Sequence, residues 1–287
     1  MAGRDEAARL KRPVETARLI DALFIAELLL MGSITGWLAG LLGIGGGMIQ
    51  VPFLTALLSR SGMSSEMALK SAIATAMATI LFTSIASARS HHARGAVRAD
   101  IVLAMAPGIV IGGLIAGASV FAQLRGPWLG VMFALFVGYS ATQMLIDRKP
   151  KPTRQLPSAP MQGMVGGGIG ALSSLVGAGG AFLSVPFMVW CNVPIHHAVG
   201  TAAALGFPIA LASTIGYVVG GWSLPTSLPG AFGYLYLPAI VIVAAASVVT
   251  APLGARAAHA MDTRMFKRVF AVLLYGVAAY MAWRASI

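Results

Sequence analysis

The sequence predicts an all-α, polytopic integral membrane protein made of two internal repeats, with helices broken at Gly-rich motifs. Three observations carry this. Of 287 residues, 57% are apolar and only 10% charged, and the mean hydropathy is +0.82; a soluble domain has about 25% charged residues. From Gln155 to Ala255 there is no Asp, Glu, Lys or Arg, so that stretch cannot cover a water-facing surface. One glycine-proline pattern also occurs twice, at matched offsets.

The apolar segments set the layout. A span needs about 20 apolar residues. The first half offers segments at 19–42, 48–58, 67–88, 101–123 and 128–146. The second offers 161–176, 182–190, 198–221, 236–258 and 265–283. Those at 48–58, 161–176 and 182–190 are too short and read as partial or broken helices. About eight spans plus re-entrant pieces are expected. The chain thus divides into a basic N-terminal tail (1–18), a membrane repeat (19–146), a charged linker (147–160) and a second membrane repeat (161–287). No cleavable signal peptide is expected, because the first apolar stretch lacks a small-residue cleavage site.

The repeat can be read directly. Gly32–Phe53 aligns without gaps on Gly166–Phe187, with ten identities in 22 positions. A second anchor follows, Ala72–Ala76 against Ala198–Ala202, after a loop that differs by eight residues. Two such halves imply internal duplication, and transporters built this way bind substrate between the repeats.

The glycine clusters are the candidate site. The first runs Gly43-Ile44-Gly45-Gly46-Gly47 and leads to Gln50 and Pro52; the second runs Gly177-Ala178-Gly179-Gly180-Ala181 and leads to Ser184 and Pro186. Consecutive glycines disfavour helix and readily take positive φ. Each cluster should break a helix within the membrane, which is tolerated only where the break is buried in protein or lines a wet cavity. The half-helix that follows presents unpaired N–H groups and the positive end of its dipole, which favour an anion. Close packing of small residues is the competing explanation; it fits Gly32, Gly36, Gly112, Gly113 and Gly117 better than the two repeated clusters. A dinucleotide fingerprint fails, since its last glycine is Met48 in one copy and Phe182 in the other.

Substrate-binding candidates are therefore Gly45, Gly46, Gly47, Gln50, Gly179, Gly180, Ala181 and Ser184, with Thr75 and Thr201 as matched hydroxyls downstream. Pro52 and Pro186 are structural. Lys70 and His196 each lie five residues before the matched Thr and are candidates for electrostatic attraction. The alternative for the threonines is a bond to their own helix, and for Lys70 a snorkelling helix end. Glu27 lies about 24 Å along an ideal helix from Gly43 and reads as an interfacial carboxylate.

The net charge is +11, from 20 basic and 9 acidic residues. The basic residues sit in short tracts between apolar segments, as in membrane-protein loops. No nucleic-acid partner is expected. The tracts at 89–98, 148–154 and 256–268 cannot all be placed on the side of the N-terminal tail under either a four-crossing or an inverted five-element scheme. Cys191, the single cysteine, excludes a disulfide or a Cys-based cluster. No catalytic residue, metal or cofactor is expected.

The paired G-x-G-G-G/A-x-x-x-V-P motifs, each followed by Ala-Ile-Ala-Thr-Ala or Ala-Val-Gly-Thr-Ala, resemble the TauE/SafE family of membrane anion permeases. So does Ala93–Val97. The resemblance covers 19–283. It implies a transporter, not an enzyme, that moves sulfite, sulfonates or related sulfur anions across the bacterial inner membrane. Ala181 departs from the third glycine, Ala74 from a frequent Gly, and Ala76 and Ala202 from a frequent Ser. Expected partners are a small anionic substrate and the lipid bilayer, and self-association is compatible with the sequence. Two other classes stay open: an anion channel, and a membrane-embedded enzyme, for which the chain offers no apposed Ser–His or paired Asp.

Overall fold

In the computed structural model, residues 22–41, 46–146, 154–224, 228–260 and 263–286 are described. They form ten helices: α1 (Ala22–Leu41), α2 (Gly47–Arg60), α3 (Ser65–His92), α4 (Ala99–Gln123), α5 (Gly126–Ile146), α6 (Ala159–Val176), α7 (Ala181–Trp190), α8 (Ile195–Gly221), α9 (Leu237–Ala260) and α10 (Thr263–Ser286). A π-helical turn, Ala116–Val120, interrupts α4. A two-residue hairpin, Ala231–Phe232 with Leu235–Tyr236, precedes α9. The protein is an all-α polytopic membrane protein, as the composition requires.

Contacts between helix ends sort them onto two faces. On the first face, Glu27 near the start of α1 pairs with Arg60 at the end of α2 at 3.6 Å. Phe24 meets Tyr236, just before α9, edge to face. Lys70 near the start of α3 donates to the Ala122 carbonyl at the end of α4, and Arg284 at the end of α10 donates to Ser59 Oγ. On the second face, the Arg98 N–H before α4 donates to Thr201 near the start of α8. Arg154 lies over the Trp190 ring at the end of α7, 4.7 Å from its centroid.

Among the described residues seven helices are long and apolar enough to cross a membrane, fewer than the eight read from the sequence. One of them, α1, turns back. Both outer ends of the α1–α2 pair lie on the first face, so the pair is a re-entrant hairpin rather than a crossing. The pair α6–α7 makes the corresponding hairpin from the second face. The helices α3 and α8 run antiparallel between the two hairpins. From Ala68 to Ile80, α3 is buried on every side, which its Ala, Ser and Thr content allows.

Small residues set the closest crossings. A Cβ on Gly108 or Gly112 of α4 would come within 1.8 or 2.1 Å of the Gly163 and Gly167 carbonyl oxygens of α6. The contact of α1 with α9 repeats this, with Gly36 against Ser247 and Gly254 against the Trp37 carbonyl. These glycines are packing residues, as small-residue helix crossings in membranes require.

The two faces gather the basic loop residues on one side, opposite the start of α1. The sequence left no scheme that gathered them with the N-terminal tail. Because α1 and α2 return to their starting face, the α3–α4 connection, the start of α6 and the end of α9 all fall on the second face. Among the described residues that face therefore carries Arg89, Arg94, Arg98, Arg154, Arg256, Lys267 and Arg268, while α1 starts opposite. The positive-inside rule predicts that the second face is the cytoplasmic one. Cys191 is the single cysteine and is buried, and burial pushes its thiol pKa up despite nearby Arg154; a Cys191→Ser background leaves an introduced cysteine as the one thiol to label. In that background Ser61→Cys should react with a membrane-impermeant maleimide on intact cells, and Ala93→Cys only after lysis. The reverse pattern would invert the orientation.

Candidate functional site

The two glycine clusters break their helices in the same way. Gly46 caps α2 with φ 74° and ψ −12°, and Gly180 caps α7 with φ 75° and ψ −9°. Both dihedral pairs lie in the left-handed region, which costs an L-residue roughly 1–2 kcal/mol. Neither half-helix has a side-chain cap at its amino end.

The two breaks meet at mid-depth. A Cβ on Gly47 would lie 2.1 Å from the Gly177 carbonyl oxygen and 3.0 Å from Ile80, which sits near the middle of α3. A Cβ on Gly206, near the middle of α8, would lie 3.8 Å from the Gly179 carbonyl oxygen and 3.3 Å from Ser84 Cβ. Each hinge is thus wedged against a long crossing helix. Position 47 must be glycine because the Gly177 carbonyl fills the place of a side chain, whereas the aligned Ala181 is accommodated. Gly45 lies outside the described residues.

Beside the second hinge is a narrow recess lined by Ala39, Thr83, Ser84, Ser87, Gly179 and Gly206, among others. Its α3 residues lead toward the second face. Toward the first face, α8 is packed shut by Tyr217, Phe121 and Tyr234, with ring centroids 4.6 and 5.3 Å apart. Tyr217 also donates its hydroxyl hydrogen to the Ser174 carbonyl.

The nominated side chains separate into groups. Gln50 is buried and occupied at both ends of its amide: Nε2 donates to Thr35 Oγ1 at 3.0 Å, and Oε1 accepts from Thr79 Oγ1 at 2.5 Å. Ser184 is fully buried and has no hydrogen-bond partner. Thr75 Oγ1 accepts the Tyr236 N–H, and Thr201 Oγ1 accepts the Arg98 N–H, both at 3.0 Å. Each threonine thus satisfies a backbone donor at the start of a helix in the other half of the chain. Pro52 is buried within α2 and Pro186 half-buried within α7.

The two electrostatic candidates stand apart from the hinges. Lys70 is buried; its Nζ lies 3.0 Å from Glu66 Oε1 and donates to the Ala122 carbonyl at 3.2 Å. It closes the end of α4, where a cation opposes the helix dipole, and Glu66 balances its charge. His196 is exposed and stacks on His197, which itself contacts the Ala96 carbonyl.

Sequence reasoning passed over Thr35 and Ser173, and ranked Thr79 below Thr75. Thr35 and Ser173 align with Ile169 and Ala39, so the repeat gave them no weight. A polar residue without a counterpart was the available signal.

Re-entrant hairpins that meet between antiparallel crossing helices define a helical membrane transporter architecture of the broken-helix kind. A family model described as "Sulfite exporter TauE/SafE" matches residues 28–281, and the chain belongs to that family. A "Probable membrane transporter protein" of Haemophilus influenzae is 34% identical over 259 residues, covering 90% of this chain and 98% of that protein. Probable membrane transporter proteins of Bacillus subtilis and Methanocaldococcus jannaschii are 26% and 23% identical, covering 70% and 81% of this chain and 80% and 85% of theirs. No solved structure matches. The chain is a membrane transporter.

Replacing Thr75 by Val should test the cross-half bond. The shape is nearly kept and the acceptor is lost, which removes the bond to the part-buried Tyr236 N–H at a cost of about 0.5–1.5 kcal/mol. The thermal midpoint of the purified protein should fall, whatever anion is present. An unchanged midpoint would remove this role.

Proposed function

We propose that the protein is a permease of the cell inner membrane that carries a small sulfur-containing oxyanion, sulfite or an organosulfonate, held at the hinges near mid-depth. The observation that carries this reading is the pair of uncapped half-helix amino ends, each set by a left-handed glycine, at the level where Gly47 abuts Gly177. Such ends attract negative charge. Among the described residues lining the recess beside the second hinge none is charged, so no carboxylate opposes an anion there. The family description supports the sulfur chemistry.

Two halves with the same order of helices, entering from opposite faces, suit alternating access by rocking one half against the other. The recess leads toward the second face while the aromatic cluster packs the first. That arrangement supports the reading that the described conformation is nearer to one open on the second face.

The test is transport in proteoliposomes. Uptake of radiolabelled sulfite or a small sulfonate should saturate and should accelerate when unlabelled substrate is loaded inside. Gly180→Leu should abolish it while the protein remains in the membrane, because the new side chain must take φ 75° and would collide with Ile209, 2.4 Å from the Cβ position. Flux that never saturates, or normal transport by Gly180→Leu, would count against this reading.

A further inference from the structure

We infer that the anion is held on one side, by the amino end of α7 with the hydroxyls of Ser173 and Ser184, and that the first hinge is scaffold. This rests on the anion-permease reading above and narrows it to one hinge.

At the first hinge the polar groups already satisfy one another. Gln50 bridges Thr35 on α1 and Thr79 on α3, and Thr35 in turn donates to the Met31 carbonyl at 2.8 Å. The circuit ties α1, α2 and α3 together and engages both ends of the amide, which fixes its orientation. Gly47 is pressed against the Gly177 carbonyl, so an oxygen, already negative, occupies the approach to its Cα.

The second hinge lacks this circuit. Ser184 stands where Gln50 stands in the aligned segment, and Ile169 stands where Thr35 does. The shorter side chain is fully buried and its hydroxyl has no partner. Ser173, at the position of Ala39, is also fully buried without a side-chain partner, and its Oγ lies 3.2 Å from where a Cβ on Gly180 would be. Ser173 is thus aimed at the cap of α7, and Ser184 sits one turn inside that helix. A buried hydroxyl without a partner loses its water and gains nothing in return. Two of them beside one uncapped helix start point to a ligand that supplies the acceptors. The side chain of Ile209 lies over the Gly180 position, and a bound anion displaces it.

The asymmetry also limits the charge of the substrate. One helix end supplies roughly half a positive charge, and both hydroxyls are neutral. A single negative charge is better matched than two. The class of substrate is a compact monoanionic oxyanion with several acceptor oxygens, such as a small alkyl sulfonate.

The experiment is thermal unfolding of the full-length purified protein with methanesulfonate or sulfate at matched ionic strength. A ligand that binds only the folded state raises the midpoint by mass action. Methanesulfonate should raise it more than sulfate does. Ser173→Ala and Ser184→Ala should each unfold at the wild-type temperature or higher without anion, because an unpaired buried hydroxyl has been removed. Each should weaken methanesulfonate binding about tenfold or more. Thr35→Val, which opens the first-hinge circuit, should lower the anion-free midpoint and leave the methanesulfonate affinity within about threefold, a shift smaller than the loss of one such hydrogen bond. The inference is overturned if the serine variants bind as wild type does, if they unfold early without anion, if Thr35→Val loses binding as they do, or if sulfate wins. Failure of every anion to stabilise the wild type would remove the permease reading itself, and this inference with it.

Discussion

A backbone that stops being helical part-way across a membrane exposes N–H and C=O groups where no water can reach them. Everything in this fold shelters two such interruptions. The hinge at Gly46 is covered by Thr35 of α1 and, through Gly47, by Ile80 of α3 and the Gly177 carbonyl of the opposite hinge. The hinge at Gly180 is covered by Ile169, Ser173 and Ile209. The run from Ala68 to Ile80 is closed on all sides, and Ile80 at its end abuts the first hinge. The close glycine crossings of α4 on α6 and of α1 on α9 serve the same end. They bring each re-entrant hairpin against a full crossing helix of the other half.

That exchange between halves recurs in the hydrogen bonds. Thr75 accepts from Tyr236, and Thr201 from Arg98. In each case a mid-membrane crossing helix holds the start of a helix that belongs to the other half. The starts of α4 and α9 are therefore fixed relative to α8 and α3, and a rocking motion that separates the halves must move these pairs together or break them. Lys70 adds a similar tie at the first face, joining α3 to the end of α4. Its charge is balanced locally by Glu66, and the polar groups at the hinges are neutral: backbone, hydroxyls and the Gln50 amide.

Much of this was legible in the sequence. Composition gives the membrane class, and consecutive glycines give the breaks, because a positive φ is a local property of the residue. The short segments at 48–58 and 182–190 become α2 and α7. What the sequence could not give is direction. Whether α1 and α2 cross or return depends on tertiary contacts such as Glu27 with Arg60, and the placement of every basic tract follows from that choice. The roles of the two threonines were hidden for a related reason. Their matched positions marked them as special, but their partners lie 161 and 103 residues away, and no pattern in a single sequence names such a partner. Ser173 was hidden because a search for repetition favours what the halves share, whereas the structure sets this residue apart by what they do not share.

The central claim is that α3 and α8 cross at mid-depth beside the second hinge, with that crossing forming a wall of the transport site. Its most direct measurement is a cross-link. A Cβ at position 206 lies 3.3 Å from Ser84 Cβ, close to the separation of about 3.5–4.5 Å that a disulfide needs. In a Cys191→Ser background, Ser84→Cys with Gly206→Cys should form a disulfide under mild oxidation, arrest anion transport and regain it on reduction. A pair that never cross-links, or a cross-linked protein that transports at the full rate, would contradict the account.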